Sequence, residues 1–265
     1  MQPKAAINDF VIKFANVNGT GSASANGMFA KAIFRMGIPV SPRNIFPSNI
    51  QGLPTWYEVR ISQDGYLGRR GGIDMMVSVN PQSFAKDVGE VEPGGYMLYD
   101  STKPLDLRHV RRDIHYLGIP LTEMCLREYT DSRQRQLFKN VIYVGALSAL
   151  LNIDFSILKD LVSEQFKGKE KLITPNIHAL EMGHQYASTH FECPLGIHLK
   201  AGEQTPKHIQ EFDQILMDGN TATALGAVYA GATVAAWYPI TPSTSVVDAF
   251  EKYCRRLRID PGTGK

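Results

Sequence analysis

Cysteine is scarce in this sequence: three in 265 residues, at Cys125, Cys193 and Cys254. They are odd in number and far apart, and no CxxC occurs. Neither a disulfide framework nor a zinc or iron–sulfur site therefore has its ligands here, and the thiols read as reduced and mostly buried. Of the seven histidines, His178, His184 and His190 lie six apart. That spacing scatters them around a helix instead of stacking them on one face, so no metal site is expected from them. An excess of either charge is also missing, since 28 Lys and Arg face 26 Asp and Glu. A surplus of +2 excludes a nucleic-acid or membrane-surface role driven by charge. The longest apolar run, Val141 to Leu151, falls far short of the roughly 20 residues that span a bilayer. Met1 to Phe14 lacks the apolar stretch of a secretion signal. The expectation is a soluble, cytoplasmic protein.

What is present is ordinary globular composition. Hydrophobic residues make up 43% and charged residues 20%, with 23 glycines and 15 prolines, which excludes disorder, collagen and coiled coil. The length suits one large domain or two moderate ones at about 150 residues each. Phe10 to Val17 is β-branched and apolar, a strand ending in the turn Asn18-Gly19-Thr20-Gly21-Ser22. A helix follows from Ser22 to about Met36, with Met28, Phe29, Ala32 and Ile33 on one face, Gly37 ending it and Pro39 blocking its continuation. Extended segments are expected at Trp56–Ile61, Ile73–Val79, Tyr96–Tyr99 and Ile114–Ile119, with a short helix over Pro81–Val88. This alternation predicts an α/β fold with a largely parallel, covered sheet.

From Thr122 the period becomes helical. Phe138–Leu151 is apolar nearly all round, as a helix buried in a domain or subunit interface would be. Phe155–Phe166 and Asn176–His190 are further helices that close a first domain, 8–190. The polar, turn-rich stretch 191–211 reads as a linker. A second α/β unit, 212–265, then begins: strand Phe212–Met217, turn Asp218-Gly219-Asn220, helix Thr221–Gly231, strand Thr233–Trp237 and helix Ser245–Leu257. Two strands cannot make a self-sufficient parallel sheet, so this second domain is expected to be incomplete and the chain truncated.

Four constellations could carry chemistry. Asn18, Gly19, Thr20, Gly21 and Ser22 form a glycine turn before a helix N-terminus, a possible ligand loop for nucleotide or CoA, or a structural tight turn. It is not a full GxGxxG, and no acidic residue follows near position 40 to take a ribose hydroxyl. Ile45–Arg60, with its prolines and aromatics, reads as a rigid packing loop or subunit contact, and Arg69-Arg70-Gly71-Gly72 as a phosphate clamp or a solvated turn. Asp218–Thr223 opens a helix rich in Ala and Gly, suited to close approach by a backbone or a flat cofactor, or to tight packing. Most informative is Tyr238-Pro239-Ile240-Thr241-Pro242-Ser243-Thr244, between an expected strand and helix where open α/β sheets bind ligands. Its prolines restrict the backbone and hold the hydroxyls of Thr241, Ser243 and Thr244 in an arc ahead of a helix N-terminus. This is an uncharged, preorganised carboxylate site or a Pro-stiffened turn.

With these residues in view, the sequence resembles the α subunit of 2-oxoacid:ferredoxin oxidoreductases, closest to the 2-oxoglutarate type whose α subunit begins with a fused γ domain. Tyr238–Thr244 matches the YPITPS(S/T) signature at every position. The resemblance implies a γ-type α/β domain with a helical C-terminal block over 8–190, and the start of a parallel-sheet pyrimidine-binding (thiamine-fold) domain over 212–265. It departs at the first turn, where the family commonly carries GxGGQG. It further implies that Thr241 contacts the substrate carboxylate as the catalytic residue here, with the rest of the signature binding substrate and cofactor. Thiamine diphosphate with Mg would sit mainly on a partner β subunit, an iron–sulfur cluster likewise on a partner, and CoA would be co-substrate. The partners implied are that thiamine-binding β subunit, ferredoxin, a 2-oxoacid and CoA. The implied reaction is oxidative decarboxylation of a 2-oxoacid to acyl-CoA and CO2 with reduction of ferredoxin, 2-oxoglutarate being favoured over pyruvate or a branched 2-oxoacid. The alternative is a non-catalytic γ-type assembly module that docks a partner subunit.

Overall fold

The computed structural model describes residues 2–17, 19–45, 54–202, 214–240, 243–260 and 262–263. They divide into two compact units, Met1–Phe212 and Asp213–Lys265, each built around its own apolar cluster. Among the described residues no helix is long and apolar enough to cross a membrane.

In the first unit the elements run β1 (Ala6–Ile7), β2 (Asp9–Val17), α1 (Ser22–Arg35), β3 (Val40–Ile45), β4 (Pro54–Ser62), β5 (Ile73–Ser78), α2 (Phe84–Glu90), β6 (Val91–Asp100) and β7 (His115–Ile119), followed by α3 (Leu121–Glu128), α4 (Ser132–Leu150), α5 (Phe155–Gln165), α6 (Ile173–His190) and β8 (Ile197–His198). Six strands make the main sheet in the order β3-β4-β2-β5-β6-β7. The fold is α/β, as expected. The sheet is parallel from β2 through β7, whereas β3 and β4 are antiparallel to their neighbours, with Phe10 opposite Ile61 and Val40 opposite Ile61 on β4's other side. The expectation of a largely parallel sheet missed β3, which carries Pro42. Proline cannot donate to a ladder, and an edge strand is where a sheet tolerates it.

Alternation along β2 builds both faces. Phe10, Ile12 and Phe14 enter the larger core, and Val11 and Ala15 enter a smaller cluster with Met76, Val88 and Met97. Phe14 is at the centre, its ring 5.2 Å from Phe29 of α1, 5.8 Å from Tyr143 of α4 and 6.3 Å from Tyr57 of β4. Each such buried aromatic contributes roughly 1.5–3 kcal/mol over exposure. The all-round apolar character of α4 is explained by its neighbours: it is buried from Val141 to Leu151 between the sheet-facing core and α6. A Cβ on Gly145 would lie 2.7 Å from the Leu180 carbonyl carbon, and one on Gly183 would lie 2.8 Å from the Ala146 amide nitrogen. The two glycines let the helix backbones meet.

The stretch expected as a linker is structured at its start. Leu195, Ile197 and Leu199 are buried, and β8 pairs in parallel with β1. The Asn8 side-chain amide exchanges hydrogen bonds with the Lys200 backbone, at 2.8 and 2.9 Å. Alternating apolar residues inside a turn-rich composition were the signal for this strand. The first unit therefore extends past residue 190.

The second unit is a helix pair, α7 (Gly219–Tyr229) and α8 (Ser243–Leu257). Ala224, Val228 and Phe250 form its buried centre. The strands expected at 212–217 and 233–237 are not formed among the described residues, 214–217 and 233–237; Phe212 and Asp213 lie outside them. A strand requires a partner for its backbone groups, and among the described residues of this unit there is no neighbouring strand. Val234, Trp237 and Tyr238 are correspondingly exposed.

Candidate functional site

The glycine turn after β2 has Gly19 and Gly21 at φ of +82° and +80°, which glycine alone adopts without strain. Asn18 lies outside the described residues. Several polar groups nearby are spent internally, while the buried Asn16 side-chain nitrogen has no hydrogen-bond partner among the described residues. Thr20 donates its hydroxyl to the Val17 carbonyl at 2.8 Å, and Asn140 of α4 donates to the Thr20 carbonyl at 2.8 Å. Asn26 and Tyr143 join a buried chain ending on Asn16, with hydrogen bonds of 2.6 and 3.0 Å. Ser22 opens α1, whose N-terminus has no side-chain cap. The loop is thus fastened to α4.

Arg70 does not project as a clamp: it pairs with the fully buried Asp74, which also takes Lys4 and accepts from the Val11 amide at 2.7 Å. Of Ile45–Arg60, residues 46–53 lie outside the described residues. Trp56, which follows, donates to Asp87 at 2.8 Å beneath the Lys86 ammonium, 4.1 Å from its ring. Burial pushes the Asp87 carboxyl up, and hydrogen bonds from Trp56, Ser83 and Ser78 offset this in part. The histidines take separate partners, His184 on Ser148 at 2.8 Å, His178 on Glu128 at 3.0 Å and His190 on the Tyr186 carbonyl.

Two cavities accompany these elements. One, of about 560 Å³, opens where β5 and β6 end, lined by Asn80, Gln82, Tyr99, Lys103, His109 and Lys139 among others. Ligands bind at the carboxyl ends of parallel strands in open α/β sheets. Asp100 organises its wall, accepting from Thr102 at 2.7 Å, from the Thr122 amide at 3.2 Å and from Lys139 at 3.3 Å, and from the Thr122 hydroxyl. Burial would raise this carboxyl, but the hydrogen bonds from Thr122 and Thr102 and the Lys139 charge outweigh it and hold it below the usual carboxylate range. A second cavity of about 430 Å³, largely apolar, lies between α1, α4, α5 and α6. Sequence reading found neither cavity as such, because residues 78–139 converge on the first and residues 21–176 on the second from separate elements, although Gly21 of the glycine turn lines the second.

In the second unit, Asp218 caps α7 by accepting from the Thr221 amide at 2.9 Å, and its carboxyl is held low chiefly by the Thr221 hydroxyl. Asn220 donates to the Ser245 hydroxyl of α8 at 2.7 Å. At the other end, Arg258 donates to the Val228 and Ala232 carbonyls at 2.8 and 2.6 Å. The helices are therefore parallel, with their N-termini together, and 230–240 belongs to the connection that runs back from the end of α7. Within Tyr238–Thr244, Thr241 and Pro242 lie outside the described residues. Tyr238 and Ile240 are exposed. The Ser243 hydroxyl donates to the Ile240 carbonyl at 2.7 Å and lies 3.0 Å from the Tyr238 carbonyl, while the Ser243 and Thr244 amides reach the Ile240 carbonyl at 2.8 and 3.3 Å. Tyr238, Pro239 and Ile240 thus form a closed turn against the start of α8.

The sequence signature of the pyruvate ferredoxin/flavodoxin oxidoreductase family matches residues 11–186. The chain belongs to this family. It is 25% identical over 92% of its length to the α subunit of 2-oxoacid:ferredoxin oxidoreductase 2 from Aeropyrum pernix, and 23% identical over 93% to the 2-oxoglutarate oxidoreductase subunit KorA of Mycobacterium tuberculosis. It spans 43% and 41% of those relatives' lengths. A solved 2-oxoglutarate:ferredoxin oxidoreductase from Magnetococcus marinus, with 2-oxoglutarate, coenzyme A and succinyl-CoA bound, superposes with a TM-score of 0.79 at 25% identity, over 94% of this chain and 42% of that one. The pyruvate oxidoreductase subunit PORC of Thermotoga maritima shares the fold, with a TM-score of 0.54 over 67% of this chain and 96% of its own.

Proposed function

We propose that this family member acts as a subunit of a 2-oxoacid:ferredoxin oxidoreductase, with 2-oxoglutarate as its 2-oxoacid. The observation that carries the reading is likeness along nearly the whole chain, 92–93%, to α subunits of such enzymes, extending through Tyr238–Thr244. The reaction is oxidative decarboxylation: the bond from the keto carbon to the carboxylate breaks, CO2 leaves, an electron pair passes by way of iron–sulfur centres to ferredoxin, and CoA takes the acyl group. Thiamine diphosphate is the cofactor that supplies carbanion stabilisation in this chemistry. Thiamine diphosphate and its Mg are assigned mainly to a partner β subunit, and this chain is assigned to the substrate, the co-substrate and the pyrimidine side of the cofactor. A 2-oxoacid carboxylate is suited by uncharged donors ahead of a helix N-terminus, which is the chemistry of Thr241, Ser243 and Thr244 before α8. We assign the first unit to the γ type and the second to the pyrimidine-facing type, with the cavity at the ends of β5 and β6 receiving part of CoA.

The test is reconstitution with a thiamine-binding β partner. The complex should reduce a viologen dye with 2-oxoglutarate and CoA, and this chain alone should not. Thr241→Ala in the complex should lower kcat/KM for the 2-oxoacid. Dye reduction by the isolated chain, or unchanged kcat/KM in the variant, would refute the assignment.

A further inference from the structure

The α7–α8 pair is held by features of different kind along its length. Its centre is a small apolar contact of Ala224, Val228 and Phe250, joined by Ala227, Val246, Ala249 and Tyr253. At its C-terminal end Arg258 ties the chain leaving α8 to the Val228 carbonyl at the end of α7 and to the Ala232 carbonyl just beyond it. Alanine and glycine give α7 a smooth face, which supplies dispersion but few ridges to fix how α8 is rotated or advanced along it. Registration at the N-terminal end is left to polar groups. There the Asn220 side chain reaches across at 2.7 Å to the hydroxyl of Ser245, in the first turn of α8. Asn220 is itself fixed by the Asp218 cap, which takes both the amide and the hydroxyl of Thr221.

We propose that Asn220 is a positioning residue for the turn Tyr238–Ile240 and the first turn of α8: through Ser245 it sets where that turn stands relative to the N-terminus of α7. The turn follows, because Ser243 and Thr244 bind it through the Ile240 carbonyl. Displacing the first turn of α8 displaces the loop entering it. This rests on the proposed reading of Tyr238–Thr244 as the 2-oxoacid carboxylate site, and Asn220 acts on substrate only through that turn.

Amide hydrogen exchange on the full chain tests the positioning. In Asn220→Ala and in Ser245→Ala, exchange of 243–247 should accelerate about fivefold, the equilibrium value of one ordinary neutral hydrogen bond. Exchange of 250–257 should not move. Asn220→Asp, which can accept from the Ser245 hydroxyl, should restore protection. Unchanged exchange at 243–247, or uniform acceleration through α7 and α8, would overturn the proposal. In the reconstituted complex, Asn220→Ala should raise KM for the 2-oxoacid about fivefold on the same basis, and leave KM for CoA where it was. Faster exchange with both KM values unmoved would also overturn it. A wild-type complex that oxidises no 2-oxoacid would instead refute the functional reading, and the exchange experiment would still decide the role of Asn220 in the turn.

Discussion

The contact between α4 and α6 permits a sharp test of how this fold is packed. Gly183→Ala adds one methyl group to the middle of α6. On propensity alone this should stabilise, since alanine is favoured over glycine in a helix by up to about 1 kcal/mol. The structure reverses the sign. The new Cβ would fall inside the van der Waals envelope of the Ile142 carbonyl oxygen and 2.8 Å from the Ala146 nitrogen. Both are backbone atoms of a helix buried on every side, so no side chain can swing away. Relief requires the helices to part, and overpacking of this kind costs roughly 1–3 kcal/mol or more. Setting about 3 kcal/mol of overpacking against about 1 kcal/mol of propensity leaves a net loss of about 2 kcal/mol. For a unit of this size that lowers Tm by roughly 4–8 °C. Gly27→Ala in α1 is the control, because nothing lies within 4 Å of the Cβ it would carry; it should raise Tm. Both are read by thermal unfolding followed through far-UV circular dichroism. A Gly183→Ala protein as stable as wild type would refute the argument that backbone contact dictates these glycines.

Other outcomes follow from burial and capping. Burial pushes the Cys125 thiol up to about 11, so at pH 8 a thiol reagent should label the exposed Cys193 first and reach Cys125 only on unfolding; rapid native labelling at Cys125 would contradict its placement. Desolvation lowers the pKa of His184 below its ordinary value, so the folded protein binds its proton less readily than the unfolded chain. Stability from this group is present above about pH 6.5 and declines as pH falls through the depressed folded value. His184→Gln should flatten the loss of unfolding free energy between pH 7 and 5, and an unaltered slope would exclude the effect. Asp218→Ala removes the side-chain cap of α7, at a cost of about 1 kcal/mol; amide exchange at 220–224 should accelerate, and protection equal to wild type would count against the cap.

Much of the first unit was legible because local pattern and environment agree. Phe10–Val17, Ser22–Met36 and Ile73–Val79 carry their period plainly, and the structure forms β2, α1 and β5 there. What was not legible depends on distant partners. Val40–Ile45 holds a proline that argues against a strand, and only pairing with β4 at the edge makes it one. Leu195, Ile197 and Leu199 were hidden by turn-forming neighbours, and a strand of two residues forms only because β1 lies beside it. The expected strands of the second unit failed for the converse reason. Thr233–Trp237 has the composition of a strand, but a strand is a relation between segments, and the described residues of this unit contain no second one.

The same distinction separates the candidate sites. Tyr238–Thr244 was legible because two prolines and three hydroxyls write its chemistry into seven consecutive residues. The cavity at the ends of β5 and β6 has no such record: Asn80, Tyr99, Lys103 and Lys139 are 59 positions apart at their extremes and meet only because parallel strands deliver their carboxyl ends to one edge. Asp100 is the hinge of that convergence. It ends β6, supplies the acceptor for the Thr122 amide at the start of α3, and takes the Lys139 charge from α4. Its ionisation follows from Thr122 and Lys139, which the order of elements brings to it, together with its near neighbour Thr102. A site made by convergence is fixed by topology, so its residues carry their meaning only once the strand order is known.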